Sequence, residues 1–252
     1  MPEKVTVVVM AFNEEKYIRN VLQPLKEWKV KNPANRNVVI VDDGSTDTTA
    51  EIAKKEGFTV LKSNPRKGKN VGKGKAFVVG ANFAKRNESD ILVTLDADMK
   101  ILRPNQIETL VNDLNRSTHK MMIGLQIEGD APITTAWITK HNSGQRAIKM
   151  DTLTPLFKKS PKWKAMLHGY GLETALEHLI PNFGWSEVVF RTAPPHRKSA
   201  LRPQYKDISK VQRIIHERNT LYRELNDLRK SGKKNQARKR LRAMQRRHAH
   251  LR

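Results

Sequence analysis

The chain has 252 residues and no cysteine. That absence excludes disulfide scaffolds, thiolate metal sites and cysteine nucleophiles, and it suits a reducing compartment. Long apolar runs are missing as well. The longest run near the N-terminus, Val5 to Phe12, is a strand's length and no cleavage-site pattern follows it. Nothing approaches the roughly 20 apolar residues that a membrane span requires. The expectation is a protein that is soluble or lies on a surface, cytoplasmic or peripheral on the inner face of a membrane. Apolar residues make up a low 38%, yet a body of about 200 residues still buries a sizeable core. Acidic residues are scarce beside basic ones, 25 Asp and Glu against 48 Lys and Arg, for a formal charge of +23. Such a field draws phosphates, nucleic acid and acidic membranes without choosing among them.

The charge is uneven. Residues 205–252 carry 16 Lys and Arg against 4 Asp and Glu, so this last fifth holds about half of the excess. Val211, Ile214, Leu221, Leu225 and Leu228 follow a helical spacing, and Ala237, Leu241, Met244, His248 and Leu251 repeat it after Ser231-Gly232. Two amphipathic helices joined by a turn fit this pattern. They suit packing on themselves, on the body or in a homo-oligomer, or contact with anionic lipid headgroups. Nucleic acid is a weaker fit, because no recognisable module and no basic–aromatic interleaving accompanies the charge. The expected division is a catalytic body over 1–204 and a basic helical extension over 205–252.

The front half alternates strand and helix patterns. Strands are expected at 5–10, 38–41, 58–61, 91–95 and 121–125, with helices at 13–28, 48–56, 75–86 and 104–115. In the first of these helices, Glu14 and Glu15 are expected at its positive end. Alternation at this spacing implies a mainly parallel α/β sheet with right-handed crossovers, whose ligands bind beyond the carboxyl ends of the strands. Asn13 and Glu14, Asp42 and Asp43, and Asp96 and Asp98 all fall at such ends. Asp96 and Asp98, one residue apart, can turn two hard oxygen ligands toward Mg²⁺ or Mn²⁺, or they can cap the next turn. The segment from Gly68 to Lys75 fails the Walker pattern, because Gly74 and not Ser or Thr follows Lys73. No G-x-G-x-x-G follows the first strand either. Gly72 and Gly74 suit a tight entry into the next helix, which leaves Lys73 either near a bound phosphate or in a solvated loop.

The segments V-V-V-M-A-F-N-E-E (7–15), V-D-D-G-S-T-D (41–47), N-V-G-K-G-K-A (70–76) and L-D-A-D (95–98) resemble, in order and spacing, the successive motifs of family 2 glycosyltransferases with the GT-A fold. The similarity spans about residues 4–200 and is nearest to the dolichyl- or polyprenyl-phosphate sugar transferase-like branch. The resemblance implies metal-dependent, inverting transfer from a UDP- or GDP-linked sugar. It implies that Ala11, Asn13 and Glu14 hold base and ribose and that Asp43 contacts the nucleoside. Asp96, Ala97 and Asp98 match the donor- and metal-binding D-x-D, with Mg²⁺ or Mn²⁺ as the ion.

The second half is less explicit. Ser143 to Ala147 resembles a family segment on the acceptor side, where Arg146 holds a phosphate or is an exposed helix arginine. Glu173, in G-Y-G-L-E before a helix, matches the general base of relatives with hydroxyl acceptors; with a lipid-phosphate acceptor it caps or positions instead. His196 is a candidate third metal ligand, or a surface histidine beside Arg197 and Lys198, after a strand expected at 187–191. The expected acceptor is a sugar, another small molecule or a polyprenyl phosphate. The alternative is an inactive scaffold of the same fold that binds lipid or nucleic acid through its basic tail. A nucleotidyltransferase lacks support, because A-F-N-E-E supplies no glycine-rich nucleotide loop.

Overall fold

In the computed structural model the described residues are 3–64, 71–131, 141, 143–158, 163, 167 and 172–193. The chain divides into a unit Met1–Pro194 and a unit Pro195–Arg252, and every described residue belongs to the first. The expected basic extension 205–252 and His196 lie outside the described residues.

Strand β1 (Val5–Ala11) is buried along its whole length, as a continuous apolar run requires when both faces are covered. Its alternate side chains enter two cores. Val7 and Val9 pack with Ile18, Leu22 and Leu25 of α1 (Ile18–Val30) and with Ile107, Leu110 and Leu114 of α4 (Pro104–Arg116). Val8 and Met10 pack on the other face with Ala76, Phe77 and Ala81 of α3 (Lys73–Arg86). Gly80 brings α3 that close, since a Cβ there would overlap the Val8 side chain.

The remaining elements are β2 (Arg36–Asp42), α2 (Thr49–Lys55), β3 (Thr59–Lys62), β4 (Ile91–Asp96), β5 (Met99–Ile101), β6 (Met121–Glu128), β7 (Arg146–Lys149), α5 (Thr154–Phe157), α6 (Leu172–Leu179) and β8 (Phe183–Thr192). The sheet order is β3-β2-β1-β4-β7-β6-β8-β5. The first four strands are parallel, and β6 runs parallel to β8. Strand β7 runs against both β4 and β6, and β5 runs against β8. The expected parallel sheet therefore describes the β3-β2-β1-β4 half, while the other half is mixed. Register places Ala11 beside Asp42 and Met10 beside Asp96, so the carboxyl ends of β1, β2 and β4 form one edge. The head of β7 joins that edge, with Arg146 opposite Thr94.

The helix expected from Asn13 instead starts at Ile18 and has no acidic residue in its first turn. Asn13 takes a left-handed backbone (φ 57°), and the amides of Glu14 and Glu15 donate to Thr49 and Asp47 side chains across the edge. Those bonds hold the acidic residues in a loop. Strands β5 and β7, three and four residues long, were not expected. Among the described residues no helix is long and apolar enough to cross a membrane.

Candidate functional site

The loops that leave β1 and β2 are locked together. The Asn13 amide donates to Ser45 Oγ at 3.0 Å, and its side-chain oxygen accepts the Thr46 N–H at 2.8 Å. Glu15 accepts the Thr48 hydroxyl at 2.8 Å, and Asp47 accepts the Thr49 N–H at 3.0 Å, just as α2 begins. Backbone bonds complete the floor: the Asp43 N–H to the Ala11 carbonyl at 2.8 Å, and the Ala97 N–H to the Met10 carbonyl at 3.3 Å. Ala11, Asn13, Glu14, Asp43, Asp96, Ala97 and Asp98 thus lie along the same edge.

Asp43 is buried and receives the Ser63 hydroxyl and, at 2.8 Å, the Gly72 N–H. Gly72 has φ 98°, a conformation that glycine adopts without a Cβ penalty, and it is the residue before α3. Asp43 therefore sets the entry into α3 and, with it, the position of Lys73.

Lys73 is the first residue of α3, not part of a solvated loop. Its ammonium bridges Asp96 Oδ1 and Glu173 Oε1, the latter at 2.7 Å. Burial disfavours its charge, but the two carboxylates outweigh that and hold its pKa above the ordinary lysine value. Glu173 stands in the first turn of α6, as expected. Burial pushes its carboxyl up, and Lys73 and Arg146 pull it further down, so it stays ionised.

Asp98 behaves differently. Burial first, then the nearby carboxylates of Asp96 and Glu14, push its carboxyl up to about 7 against the opposing effect of Lys73. Its Oδ1 is buried and accepts no hydrogen bond, while its backbone carbonyl accepts the Ala193 N–H at 2.6 Å. A buried carboxylate oxygen with no donor, beside two further carboxylates, is an arrangement that a hard divalent cation satisfies. Among the described residues no three His, Asp or Glu side chains converge as a complete metal site. Asp96 and Asp98 therefore fit a divalent ion that takes its other ligands from substrate or water.

Arg146 is neither exposed nor helical. It heads β7 and is 1% exposed; its Nε donates to the Ser143 carbonyl at 2.9 Å and its Nη2 to Glu177 Oε1 at 3.0 Å. The fully buried neighbour Gln145 donates to Asp96 Oδ2 at 3.3 Å. Gly144 leaves room for the ionic contact, since a Cβ there would lie 2.5 Å from Asp96 and 2.7 Å from Lys73 Nζ. Its carbonyl accepts the Thr94 hydroxyl at 2.6 Å. The resemblance over Ser143 to Ala147 points to this place but gives no role to Gly144 or Gln145. Glu177 and Ser63 carried no sequence signal beyond their type.

Residues 6–170 match the family model for glycosyl transferase family 2. An uncharacterized protein of Methanocaldococcus jannaschii is 40% identical over 122 residues, 48% of this chain and 46% of that protein. A 4,4'-diaponeurosporenoate glycosyltransferase of Staphylococcus aureus is 33% identical over 125 residues, 49% of this chain and 32% of that protein. The chain thus spans less than half the length of these curated relatives. Among solved structures, glucosyl-3-phosphoglycerate synthase from Mycobacterium tuberculosis, in complex with Mn²⁺ and UDP-glucose, superposes with a TM-score of 0.54. That alignment covers 84% of this chain and 77% of the synthase at 20% identity.

Proposed function

The chain belongs to glycosyl transferase family 2, and from that premise we propose that it transfers a sugar, with inversion, from a UDP- or GDP-linked donor to an acceptor hydroxyl. The observation that carries this reading is the Asp98 carboxylate: half-buried, its Oδ1 buried without a hydrogen-bond donor, two residues after Asp96 at the carboxyl edge. A divalent ion, Mg²⁺ or Mn²⁺, held by these two carboxylates would supply positive charge against the donor diphosphate. The synthase solved with Mn²⁺ and UDP-glucose supports such an ion and such a donor on this fold.

The protein's own groups take the remaining roles. The interlocked Asn13–Ser45–Thr46 loops border the base and ribose, with Ala11, Glu14, Asp43 and Ala97 along the same edge. Lys73 presents its ammonium beside Asp96, where it opposes the charge that grows on the departing nucleoside diphosphate. Glu173 remains ionised and takes the proton of the attacking hydroxyl. That ionised base favours a hydroxyl over a polyprenyl phosphate, whose oxygen is already anionic. The acceptor oxygen bonds to the anomeric carbon as the bond to the diphosphate oxygen breaks on the opposite face. His196 as a further ligand and the basic extension as a contact for anionic membrane or a second copy remain part of the proposal.

Calorimetric titration of UDP and GDP, each with Mn²⁺, Mg²⁺ or EDTA, tests it. Metal-dependent binding of one nucleotide that Asp98→Asn removes is the expected result. No binding of either nucleotide with either metal would sink the reading in favour of an inactive scaffold.

A further inference from the structure

Glu173 and Glu177 stand one turn apart on α6 and so share a side of the helix. Glu173 reaches Lys73 at 2.7 Å, and Lys73 reaches Asp96. Glu177 divides its two oxygens: Oε1 takes Arg146 Nη2 at 3.0 Å, and Oε2 faces His141 Nδ1 at 2.8 Å. Arg146 is followed by Ala147 and preceded by Gln145, and Gln145 returns to Asp96 Oδ2 at 3.3 Å. These contacts close a ring. It runs from Asp96 through Lys73 to Glu173, along one turn of α6 to Glu177, across to Arg146, and back through Gln145 to Asp96.

A helix of eight residues that buries Leu172, Ala175 and Leu176 is held to the sheet by apolar contact, which tolerates small slides and rotations. An ion pair does not. The Arg146 guanidinium is fully buried, and burying charge is a poor way to gain stability compared with an apolar pair of the same volume. What the pair provides is one register between α6 and β7. His141 adds a second fixed point, and its ring meets Trp185 edge-on at 5.0 Å.

We infer that Glu177 and Arg146 are positioning residues: they fix the rotation of α6, so that Glu173 is delivered to Lys73 and the acceptor beside the Asp96 carboxylate. Arg146 thereby has a task other than holding a donor phosphate. The inference rests on the transfer reading for its consequence in turnover, but not for the geometry it asserts.

The test is a double-mutant cycle in the full chain, with E173Q, E177Q and the pair. Thermal midpoints are measured in EDTA, UDP and GDP affinity with Mn²⁺ by calorimetry, and nucleotide release from UDP-glucose and GDP-mannose with Mn²⁺. With positioning, the midpoint lost on adding E173Q is smaller in the E177Q background than in the wild type. E177Q then keeps nucleotide affinity within about twofold while nucleotide release falls about tenfold, the scale of a small misplacement of a reacting group. Equal midpoint losses in the two backgrounds overturn the inference, and so does an affinity that falls in step with turnover. Should E177Q not fold, His141→Phe carries the same cycle, since it removes the Nδ1 contact and keeps a ring against Trp185. A wild type that binds neither nucleotide refutes the transfer reading alone, and the midpoint cycle in EDTA still decides the positioning.

Discussion

Two ionic clusters meet α6 one turn apart, at Glu173 and at Glu177, and their charge balance separates them. Arg146 and Glu177 form a matched pair, with the cation fully buried and each partner satisfied by the other and by His141 or Ser143. The cluster at the strand ends is unmatched. Asp96 and Glu14 raise the Asp98 carboxyl there, and Lys73 is the cation that bridges Asp96 and Glu173. A closed network that satisfies itself serves structure. A network that leaves a carboxylate oxygen buried and unpaired invites a cation from outside.

Substitutions sharpen that contrast, beginning with the largest effect. Asp98→Asn is expected to lower Mn²⁺-dependent nucleotide affinity by on the order of 100-fold, as loss of a metal-site contact does. Its thermal midpoint at neutral pH should not fall. The folded-state pKa of Asp98 is raised, so its charge opposes folding above the unfolded value, and the neutral amide removes that opposition. A lower midpoint with unchanged nucleotide binding would reverse the roles of the two clusters.

Arg146→Met should do the opposite. It leaves Glu177 buried without its guanidinium, and chemical denaturation should register a loss of about 3 kcal/mol. A loss below about 1 kcal/mol, within the range of exposed pairs, would show that the pair is not a structural anchor.

Gly144→Ala links the clusters. A Cβ there meets Asp96 at 2.5 Å and Lys73 at 2.7 Å, so one of them must move. Both atoms are side-chain ends that can shift, so the cost falls at or below the low end of the about 1–3 kcal/mol of core overpacking, while nucleotide affinity should fall as the contact is displaced. Unchanged binding would mean that the Lys73–Asp96 contact is not part of the donor site.

The smallest effect is a control at the far end of β7. Lys120 and Asp151 pair at 2.7 Å with side chains 44% and 64% exposed. The hydrogen bond from Lys120 lowers the Asp151 pKa, so the pair's contribution is present above the unfolded aspartate value and is lost as pH falls through the folded one. Solvent screening limits it, and Lys120→Met should shift stability by less than about 0.5 kcal/mol at neutral pH. A larger shift would show that exposed pairs in this fold cannot serve as a baseline for the buried ones.

Much of the front half was legible because its signals are local. The unbroken apolar run of β1 announces a strand covered on both faces, and the 3–4 spacing of Ile107, Leu110, Val111 and Leu114 announces α4. Asp96 and Asp98 could be set at a strand end from their place after Ile91–Leu95. Local pattern places the start of α1 too early, because Asn13 and Glu14 obey partners at Thr46 and Thr49 and not their own helix propensity. Strands β5 and β7 are too short to carry a periodicity, and an arginine at the head of β7 reads as surface when its partner is unknown.

The sequence by itself determined the parallel half of the sheet, the edge that collects the acidic residues and the family to which the chain belongs. Those follow from runs, spacings and turn residues within a few positions of one another. Tertiary structure alone decided that Lys73 joins Asp96 to Glu173, that Gly144 makes room for that contact, and that Arg146 answers Glu177. Each of these joins residues tens of positions apart, and only the packing of α3, β7 and α6 on the sheet selects which charges meet.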